Sequence, residues 1–270
     1  MRQIAFYGKG GIGKSTIVAN AAAAIAGAGH QVMQVGCDPK RDSTRMLLGG
    51  QFNPTVLEKL HSDSQPLTVA SIVTVGFNGV KCIEAGGPEP GVGCAGRGIT
   101  ATFQMMEKLG LYDNHTEFIL YDVLGDVVCG GFAVPIRESY ADEVYLITSG
   151  ELMSLYAANN IAKGIARFSD NRRGKLAGVI GNSRNLDNEK RLIAAFAERI
   201  GTRLIKFIPR DMIVQQSEIR KQTVMQFAPD SPQAQIYREL AVEIVKNTHR
   251  TTPTPMEIDE LEELAFHFSQ

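Results

Sequence analysis

Short apolar runs recur along the chain and predict its strands. Each run has four or five residues and is rich in valine, isoleucine, leucine and aromatic side chains. Continuous apolar runs of this length are typical of buried strands in a parallel sheet. The predicted strands are Ile4–Tyr7, Gln31–Val35, Val80–Glu84, Glu117–Tyr121, Val144–Thr148, Leu176–Ile180 and Leu204–Ile208.

Longer stretches between these runs have helical patterns. Strands that alternate with helices indicate βαβ units, and therefore an α/β fold in which helices flank a mostly parallel sheet. The predicted helices are Thr16–Ala28, Ile99–Leu109, Leu152–Phe168, Glu189–Ile200 and Pro232–Lys246.

The chain is predicted to form one domain followed by a short tail. Residues 1–250 contain no linker rich in proline or serine and no internal repeat, so they are assigned to a single domain. Residues 251–270 form a C-terminal arm, which two prolines interrupt before an acidic segment with interspersed leucine and phenylalanine. Two interpretations stay open, a loosely attached arm and an arm that packs on a partner subunit.

Composition restricts the partners and the compartment. The 270 residues include 28 lysines and arginines and 29 aspartates and glutamates, a formal net charge of −1. Without a large basic field, neither nucleic acid nor a membrane is expected as a partner. The apolar stretch near Ala21–Gly29 is far shorter than a membrane span, and Met1–Phe6 does not resemble a signal peptide. A cytoplasmic protein is therefore predicted, in which four cysteines do not indicate disulfides.

The segment Gly8–Ser15 matches the phosphate-loop pattern G-x-x-x-x-G-K-[ST] between a predicted strand and a predicted helix. Such a loop holds phosphate with backbone N–H groups and the positive end of a helix. Lys14 would reach the β- and γ-phosphates, and the Ser15 hydroxyl would bind Mg²⁺. The fold class is thus a P-loop NTPase, and its candidate nucleotide contacts here are Gly8, Lys9, Gly10, Gly11, Ile12, Gly13, Lys14, Ser15 and Thr16.

A nicotinamide site is the competing interpretation of this loop. Gly8, Gly10 and Gly13 also fit G-x-G-x-x-G, and Asp38 lies 25 residues beyond the last of them, near the position of a ribose-binding acid. A dinucleotide loop does not need the pair of lysine and serine that ends this motif, whereas a nucleoside triphosphate site needs both. The triphosphate is therefore favoured.

Lys9 places the loop in the deviant Walker A subgroup, which has a second lysine directly after the first glycine. In that subgroup the lysine crosses a dimer interface to the nucleotide of the other subunit. Lys9 is therefore a candidate catalytic residue whose action requires two subunits.

Carboxylates after two strands complete the predicted site. Asp122 ends an apolar strand and would hold Mg²⁺. It also begins a D-x-x-G pattern, whose glycine, Gly125, would sense the γ-phosphate. After the second strand, Asp38 would position the attacking water, and Asp42 would hold a water molecule that is bound to Mg²⁺. Turn and helix-cap chemistry is the competing interpretation of these two acids. Lys40 is a further nucleotide-site candidate and Asp126 a further catalytic candidate.

The four cysteines fall into two pairs. Cys37 and Cys82 lie at or within strand patterns, where cysteine is usually a packing residue. Cys94 and Cys129 lie in glycine-rich loops, and no C-x-x-C pair is present. Two thiolates cannot complete a [4Fe–4S] cluster, but a two-fold dimer supplies four around its axis. The residues alone thus allow one cluster per homodimer.

The chain resembles the nitrogenase iron protein family, also called dinitrogenase reductases, from Met1 to about residue 245. The resemblance rests on Gly8–Ser15, Gly36–Thr44, Gly86–Gly98 and Tyr121–Arg137, and is most specific at residues 87–94 and 122–132. It implies a homodimer around one bridging [4Fe–4S] cluster, with residues 1–250 as the nucleotide- and cluster-binding domain. It also implies that MgATP binding and hydrolysis control electron transfer to a larger metalloprotein, with ferredoxin or flavodoxin as donor.

The resemblance also assigns individual residues. Cys94 and Cys129 match the cluster ligands, and Arg97 matches an arginine that is ADP-ribosylated in some members. Residues that match the region contacting adenine and ribose of MgATP or MgADP are Asn182, Pro209, Arg210, Asp211, Gln215, Glu218 and Tyr237.

Several positions depart from the usual family pattern. Arg41 replaces an alanine, Gly181 replaces a cysteine, and Thr148 replaces another cysteine. These changes suggest a relative of the core nitrogenase proteins, such as the reductase component of a nitrogenase-like enzyme or of methylthio-alkane reductase. The alternative function is a partitioning or positioning ATPase of the deviant Walker A class, which needs no cysteines.

Overall fold

The computed structural model describes residues 1–62, 66–87, 96–113, 115–125, 133–168 and 174–269. The strands are β1 (Arg2–Tyr7), β2 (Val32–Gly36), β3 (Thr74–Val75), β4 (Lys81–Glu84), β5 (Phe118–Asp122), β6 (Glu143–Thr148), β7 (Lys175–Asn182) and β8 (Leu204–Ile208). The helices are α1 (Lys14–Gly27), α2 (Val56–Ser62), α3 (Val69–Ile72), α4 (Gly96–Lys108), α5 (Val134–Arg137), α6 (Leu152–Phe168), α7 (Glu189–Arg199), α8 (Met212–Ile219), α9 (Val224–Phe227), α10 (Pro232–Lys246) and α11 (Ile258–Phe268).

All eight strands form one sheet in the order β3-β4-β2-β5-β1-β6-β7-β8. Every neighbouring pair is parallel except β3 and β4, which confirms the predicted fold class. In the register of the central strands, Gly36 pairs with Asp122 on one side and with Glu84 on the other. Because parallel strands end at the same edge, this register gathers their polar terminal residues where ligands bind in such sheets.

Apolar side chains fill the space on both faces of the sheet. On one face, α1 and α10 pack together, and their core includes Ile17 and Leu240. On the other face, Phe103 of α4, Leu155 of α6 and Ile193 of α7 are fully buried. The sheet is therefore covered by helices on both sides, which explains why its central strands are continuous apolar runs in the sequence.

Differences from the predicted elements are confined to short helices, one edge strand and element ends. All seven predicted strands and all five predicted helices are present. The helix expected from Ile99 already begins at Gly96, because its glycines serve packing rather than a loop: a Cβ on Gly98 would lie 2.3 Å from the Gly86 carbonyl oxygen. None of the helices in the described ranges is long and apolar enough to cross a membrane.

The C-terminal arm packs on its own chain. The Asn159 side chain of α6 donates to the Met256 carbonyl at 2.8 Å and accepts from its N–H at 2.9 Å. Thr251 forms an antiparallel bridge with Leu176 at the start of β7. Leu261 of α11 is 1% exposed and belongs to the core shared with α6 and α7. The described part of the arm is thus docked on its own chain, which differs from the interpretation of a loosely attached arm.

Leu261→Ala is expected to lower the free energy of unfolding by about 2–5 kcal/mol, because it removes a buried side chain and leaves a cavity. Phe266→Ala on the same helix is the matched control, since Phe266 is 66% exposed and should change stability by less than about 0.5 kcal/mol. Urea unfolding of both variants under identical anaerobic conditions measures the difference. Equal midpoints would show that the arm adds no stability.

Candidate functional site

The phosphate loop connects β1 to α1 by a sharp turn of glycines. Gly11 and Gly13 have φ of 73° and 92°, a backbone conformation that favours glycine. Gly13 caps α1 without a side-chain hydrogen bond, so the first N–H groups of the helix are available to an anion. A Cβ on Gly8 would lie 2.4 Å from the Ile147 carbonyl oxygen, so this position accepts no side chain.

Lys14 and Asp122 form a buried ion pair at the centre of the site. The Lys14 Nζ atom lies 3.0 Å from Asp122 Oδ1, and the two side chains are 8% and 1% exposed. Burial alone would lower the pKa of Lys14, but the Asp122 carboxylate outweighs this effect and raises the pKa above its ordinary value. The other Asp122 oxygen accepts a hydrogen bond of 2.6 Å from the Ser43 hydroxyl. Asp122 therefore joins the phosphate loop to the segment that follows β2.

That segment, residues 38–44, carries the acids that the sequence singles out. Asp38 accepts a hydrogen bond from the Lys40 backbone N–H at 2.9 Å, which is a turn contact and leaves Lys40 itself exposed. Partial burial raises the pKa of Asp42, and the nearby carboxylates Asp38 and Asp122 raise it further. Carboxylates crowded in this way are hard oxygen donors of the kind that Mg²⁺ prefers.

Glu84 lies beside this segment, and sequence reasoning missed it. Its Oε1 atom accepts hydrogen bonds from Thr44, at 2.7 Å from the backbone N–H and 2.6 Å from the hydroxyl. Its Oε2 atom is buried and has no hydrogen-bond partner within the described ranges. Burial raises the pKa of Glu84 to about 8, and the carboxylates Asp122 and Asp42 contribute. The signal in the sequence is an acid that ends an apolar strand, as in the strand ending at Asp122.

Gly36 and Gly125 allow the close packing of this region. A Cβ on Gly36 would lie 2.0 Å from Glu84 Oε2, so only glycine fits beside that carboxyl. A Cβ on Gly125 would lie 2.1 Å from the Gly8 carbonyl oxygen, so the D-x-x-G segment rests directly against the phosphate loop. The phosphate loop therefore lies against the start of the chain segment that leads in sequence to Cys129.

A cavity of about 330 Å³ opens beside the start of α1. The strand ends after β7 and β8 reach it together with α8 and α10, and Thr16 donates a 2.7 Å hydrogen bond to Glu218 at its wall. All seven residues predicted to contact adenine and ribose line this cavity: Asn182, Pro209, Arg210, Asp211, Gln215, Glu218 and Tyr237. Asp211 also caps α8 by accepting from the Ile213 N–H at 2.9 Å, so part of its role is structural.

The cysteines separate by location. Cys37 and Cys82 are free and fully buried, and burial raises the pKa of Cys37 well above its ordinary value and that of Cys82 to about 12. Both therefore lie within the core, away from a surface at which two subunits could share a cluster. Cys94, Cys129 and Asp126 lie outside the described residues. Arg97 is exposed on the first turn of α4, and Lys9 is partly exposed in the phosphate loop.

Glu84 also predicts how stability depends on pH. The folded protein keeps this carboxyl protonated up to about pH 8, whereas the unfolded chain loses the proton near the ordinary pKa of 4.5. The free energy of unfolding contributed by Glu84 therefore falls as pH rises through this window. In Glu84→Gln that contribution is absent, so its melting temperature should fall less than that of the wild type between about pH 5 and pH 8. If the melting temperatures of the wild type and Glu84→Gln changed equally with pH across this range, the raised pKa of Glu84 would be contradicted.

The phosphate loop after β1, the acid that ends β5 and the parallel sheet define a P-loop NTPase of the deviant Walker A type. The fold is similar to that of the cell division ATPase MinD of Pyrococcus furiosus, with a TM-score of 0.69 and 19% identity over 91% of this chain and 98% of that chain. It is also similar to cobyrinic acid a,c-diamide synthase of Mycobacterium smegmatis, with a TM-score of 0.65 and 18% identity over 91% and 94% of the two chains.

Sequence comparison places the chain within one family of this class. The model of 4Fe-4S iron sulfur cluster binding proteins of the NifH/frxC family matches residues 2–270. The nitrogenase iron protein of Methanospirillum hungatei is 58% identical over 268 residues, which cover 98% of this chain and 95% of that protein. The chain belongs to the NifH/frxC family of iron–sulfur proteins, which confirms the resemblance seen in its motifs.

Proposed function

We propose that this protein is the ATP-dependent reductase component of a nitrogenase or a nitrogenase-like enzyme. It acts as a homodimer that delivers low-potential electrons to a larger catalytic metalloprotein and couples each transfer to MgATP hydrolysis. The observation that carries the proposal is the path from Lys14 through Asp122 to Gly125, since the same segment continues to Cys129. Nucleotide chemistry and a cluster ligand thereby share one short stretch of chain.

Nucleotide binding is proposed to rearrange the ion pair of Lys14 and Asp122. An incoming triphosphate would draw the ammonium towards its β- and γ-phosphates, and Asp122 would then turn to Mg²⁺ together with the Ser15 hydroxyl. The adenine and ribose would occupy the cavity of about 330 Å³. Because Ser43 donates to Asp122, this exchange would also shift the segment of residues 38–44.

Hydrolysis is assigned to groups at the mouth of the site. Asp38 would orient the attacking water, Asp42 would hold a water of the Mg²⁺ shell, and Lys9 would reach the nucleotide of the other subunit. Lys40 would lie along the phosphates, and Asp126 would assist from the segment after Gly125. These roles place catalysis at the subunit interface, so that hydrolysis requires the closed dimer.

Cys94 and Cys129 of both subunits are proposed to hold one [4Fe–4S] cluster on the two-fold axis. The cluster supplies a single low-potential electron when it is reduced. The donor set fits this assignment, since the two remaining cysteines are buried thiols whose pKa values are raised by burial. Ferredoxin or flavodoxin is the proposed donor, and Arg97 on the exposed start of α4 is the proposed site of modification.

Anaerobic purification with metal analysis and partner capture tests the proposed function. We expect a brown, oxygen-sensitive dimer with about four iron atoms per dimer, which co-purifies with a metalloprotein in the presence of a non-hydrolysable MgATP analogue. Electron transfer to that partner should require hydrolysable MgATP. A colourless protein with ordinary ATPase activity would instead support the alternative of a positioning ATPase.

A further inference from the structure

Three side-chain contacts fix the end of the segment of residues 38–44, and they lead to different strands. The Gln34 amide of β2 donates to the Ser43 carbonyl and hydroxyl, each at 3.0 Å. The Ser43 hydroxyl donates to Asp122 at the end of β5. Thr44 donates twice to Glu84 at the end of β4. The first two contacts belong to the nucleotide site, whereas the third leads away from it.

The chain that leaves β4 at Glu84 leads in sequence to Cys94. The Ala85 N–H donates to the Gly36 carbonyl at 2.8 Å, so the chain after Glu84 still runs beside the end of β2. Gly87 then lies against Pro39, because a Cβ on Gly87 would be 2.8 Å from the Pro39 ring. Residues 38–44 therefore touch this continuation at two places, at Thr44 through Glu84 and at Pro39 through Gly87.

We infer that Glu84 is a positioning residue that couples residues 38–44 to the strand leading to Cys94. It acts through Thr44 and touches neither nucleotide nor cluster. The part of this inference that involves a cluster at Cys94 rests on the proposed function. The link between residues 38–44 and the chain after Glu84 rests on the contacts described above. It adds a second route from nucleotide to cluster, beside the one that runs from Asp122 to Cys129.

The surroundings of Glu84 favour this role over simple packing. A carboxyl that is 0% exposed is costly to bury, and an apolar residue would fill the same space without that cost. Both hydrogen bonds of Oε1 come from one residue of the segment, so Glu84 senses the position of Thr44 specifically. Oε2 has no partner among the described groups, so within those groups Thr44 makes the hydrogen bonds that hold this carboxyl.

Hydrogen–deuterium exchange of the full-length dimer tests the link. In the wild type, adding MgATP should change amide exchange in residues 38–44 and also in residues 81–87. In Thr44→Val, which removes one donor to Glu84, the change at 38–44 should remain and the change at 81–87 should fall about tenfold. Glu84→Leu removes the acceptor of both hydrogen bonds and should reduce the change at 81–87 at least as much as Thr44→Val does. Glu84→Gln should restore the response because its amide oxygen still accepts from Thr44.

Thr202→Val is the matched control, since Thr202 is buried and its hydroxyl has no partner within the described ranges. A second readout is the rate at which 2,2′-bipyridine removes cluster iron, which MgATP should accelerate in the wild type and about tenfold less in Thr44→Val. Circular dichroism establishes that each variant is folded.

The outcomes separate the two proposals. A wild type without iron refutes the proposed function, while its exchange data still test the link between the segments. If the wild type responds at residues 81–87 and Thr44→Val responds equally, the inference about Glu84 is overturned and the proposed function stands. Loss of the response in Thr44→Val and Glu84→Leu, with rescue by Glu84→Gln, supports the inference.

Discussion

Lys14→Gln is expected to lower kcat for ATP hydrolysis by about 10²–10³-fold, because it removes the cation that would stabilise charge on the phosphates. The amide of glutamine can still donate to Asp122, which limits the loss of stability. Lys14→Ala would have the same catalytic effect, but it would leave Asp122 buried without a cation at a cost of about 3–5 kcal/mol. The glutamine variant therefore separates the loss of catalysis from a loss of stability better than the alanine variant does.

The control for this prediction is Lys163→Ala, which removes an exposed lysine of α6. Steady-state hydrolysis at saturating MgATP and calorimetric binding of MgADP separate catalysis from binding. We expect the control to match the wild type in both measurements. Hydrolysis by Lys14→Gln within about threefold of the wild-type rate would show that Lys14 does not face the phosphates.

The sequence predicted the central part of this site because its signals are local. The phosphate loop is a contiguous motif, and Asp122 is recognisable as the acid after an apolar strand. The strands on either side are buried on both faces, so they appear as continuous apolar runs. The seven residues predicted to contact adenine and ribose come from four separated elements, and only the family resemblance identified them before the structure showed that they line one cavity.

The place of Glu84 in the site could not be predicted from the sequence because it depends on the register of the strands. The sequence marks it as the last residue of a strand, but only the pairing of Gly36 with both Glu84 and Asp122 brings it to Thr44. The C-terminal arm is a similar case, since its few apolar residues suit either a loose or a docked segment. The hydrogen bonds between Asn159 and Met256, which attach the arm to α6 of its own chain, join residues 97 apart in the chain.

Cys94→Ala is expected to abolish the cluster while MgATP binding stays within about threefold of the wild type. In a two-fold dimer the substitution removes two of four thiolates at once, which leaves too few ligands for a four-iron cluster. Neither Cys37 nor Cys82 can take over, since both side chains are 0% exposed within the core of the sheet. The phosphate loop and the described residues that line the cavity beside α1 are separate from Cys94 in the sequence, so nucleotide binding should remain.

Iron content, visible absorption and MgADP binding of the anaerobically purified dimer measure this effect. Cys82→Ala is the matched control, because it removes a thiol of the core and should retain the full iron content with a modest loss of stability. The contrast between the two variants is informative in both directions. Iron retained by Cys94→Ala would refute the ligand assignment, and iron lost from Cys82→Ala would mean that cluster retention depends on the core of this sheet as well as on the glycine-rich loops.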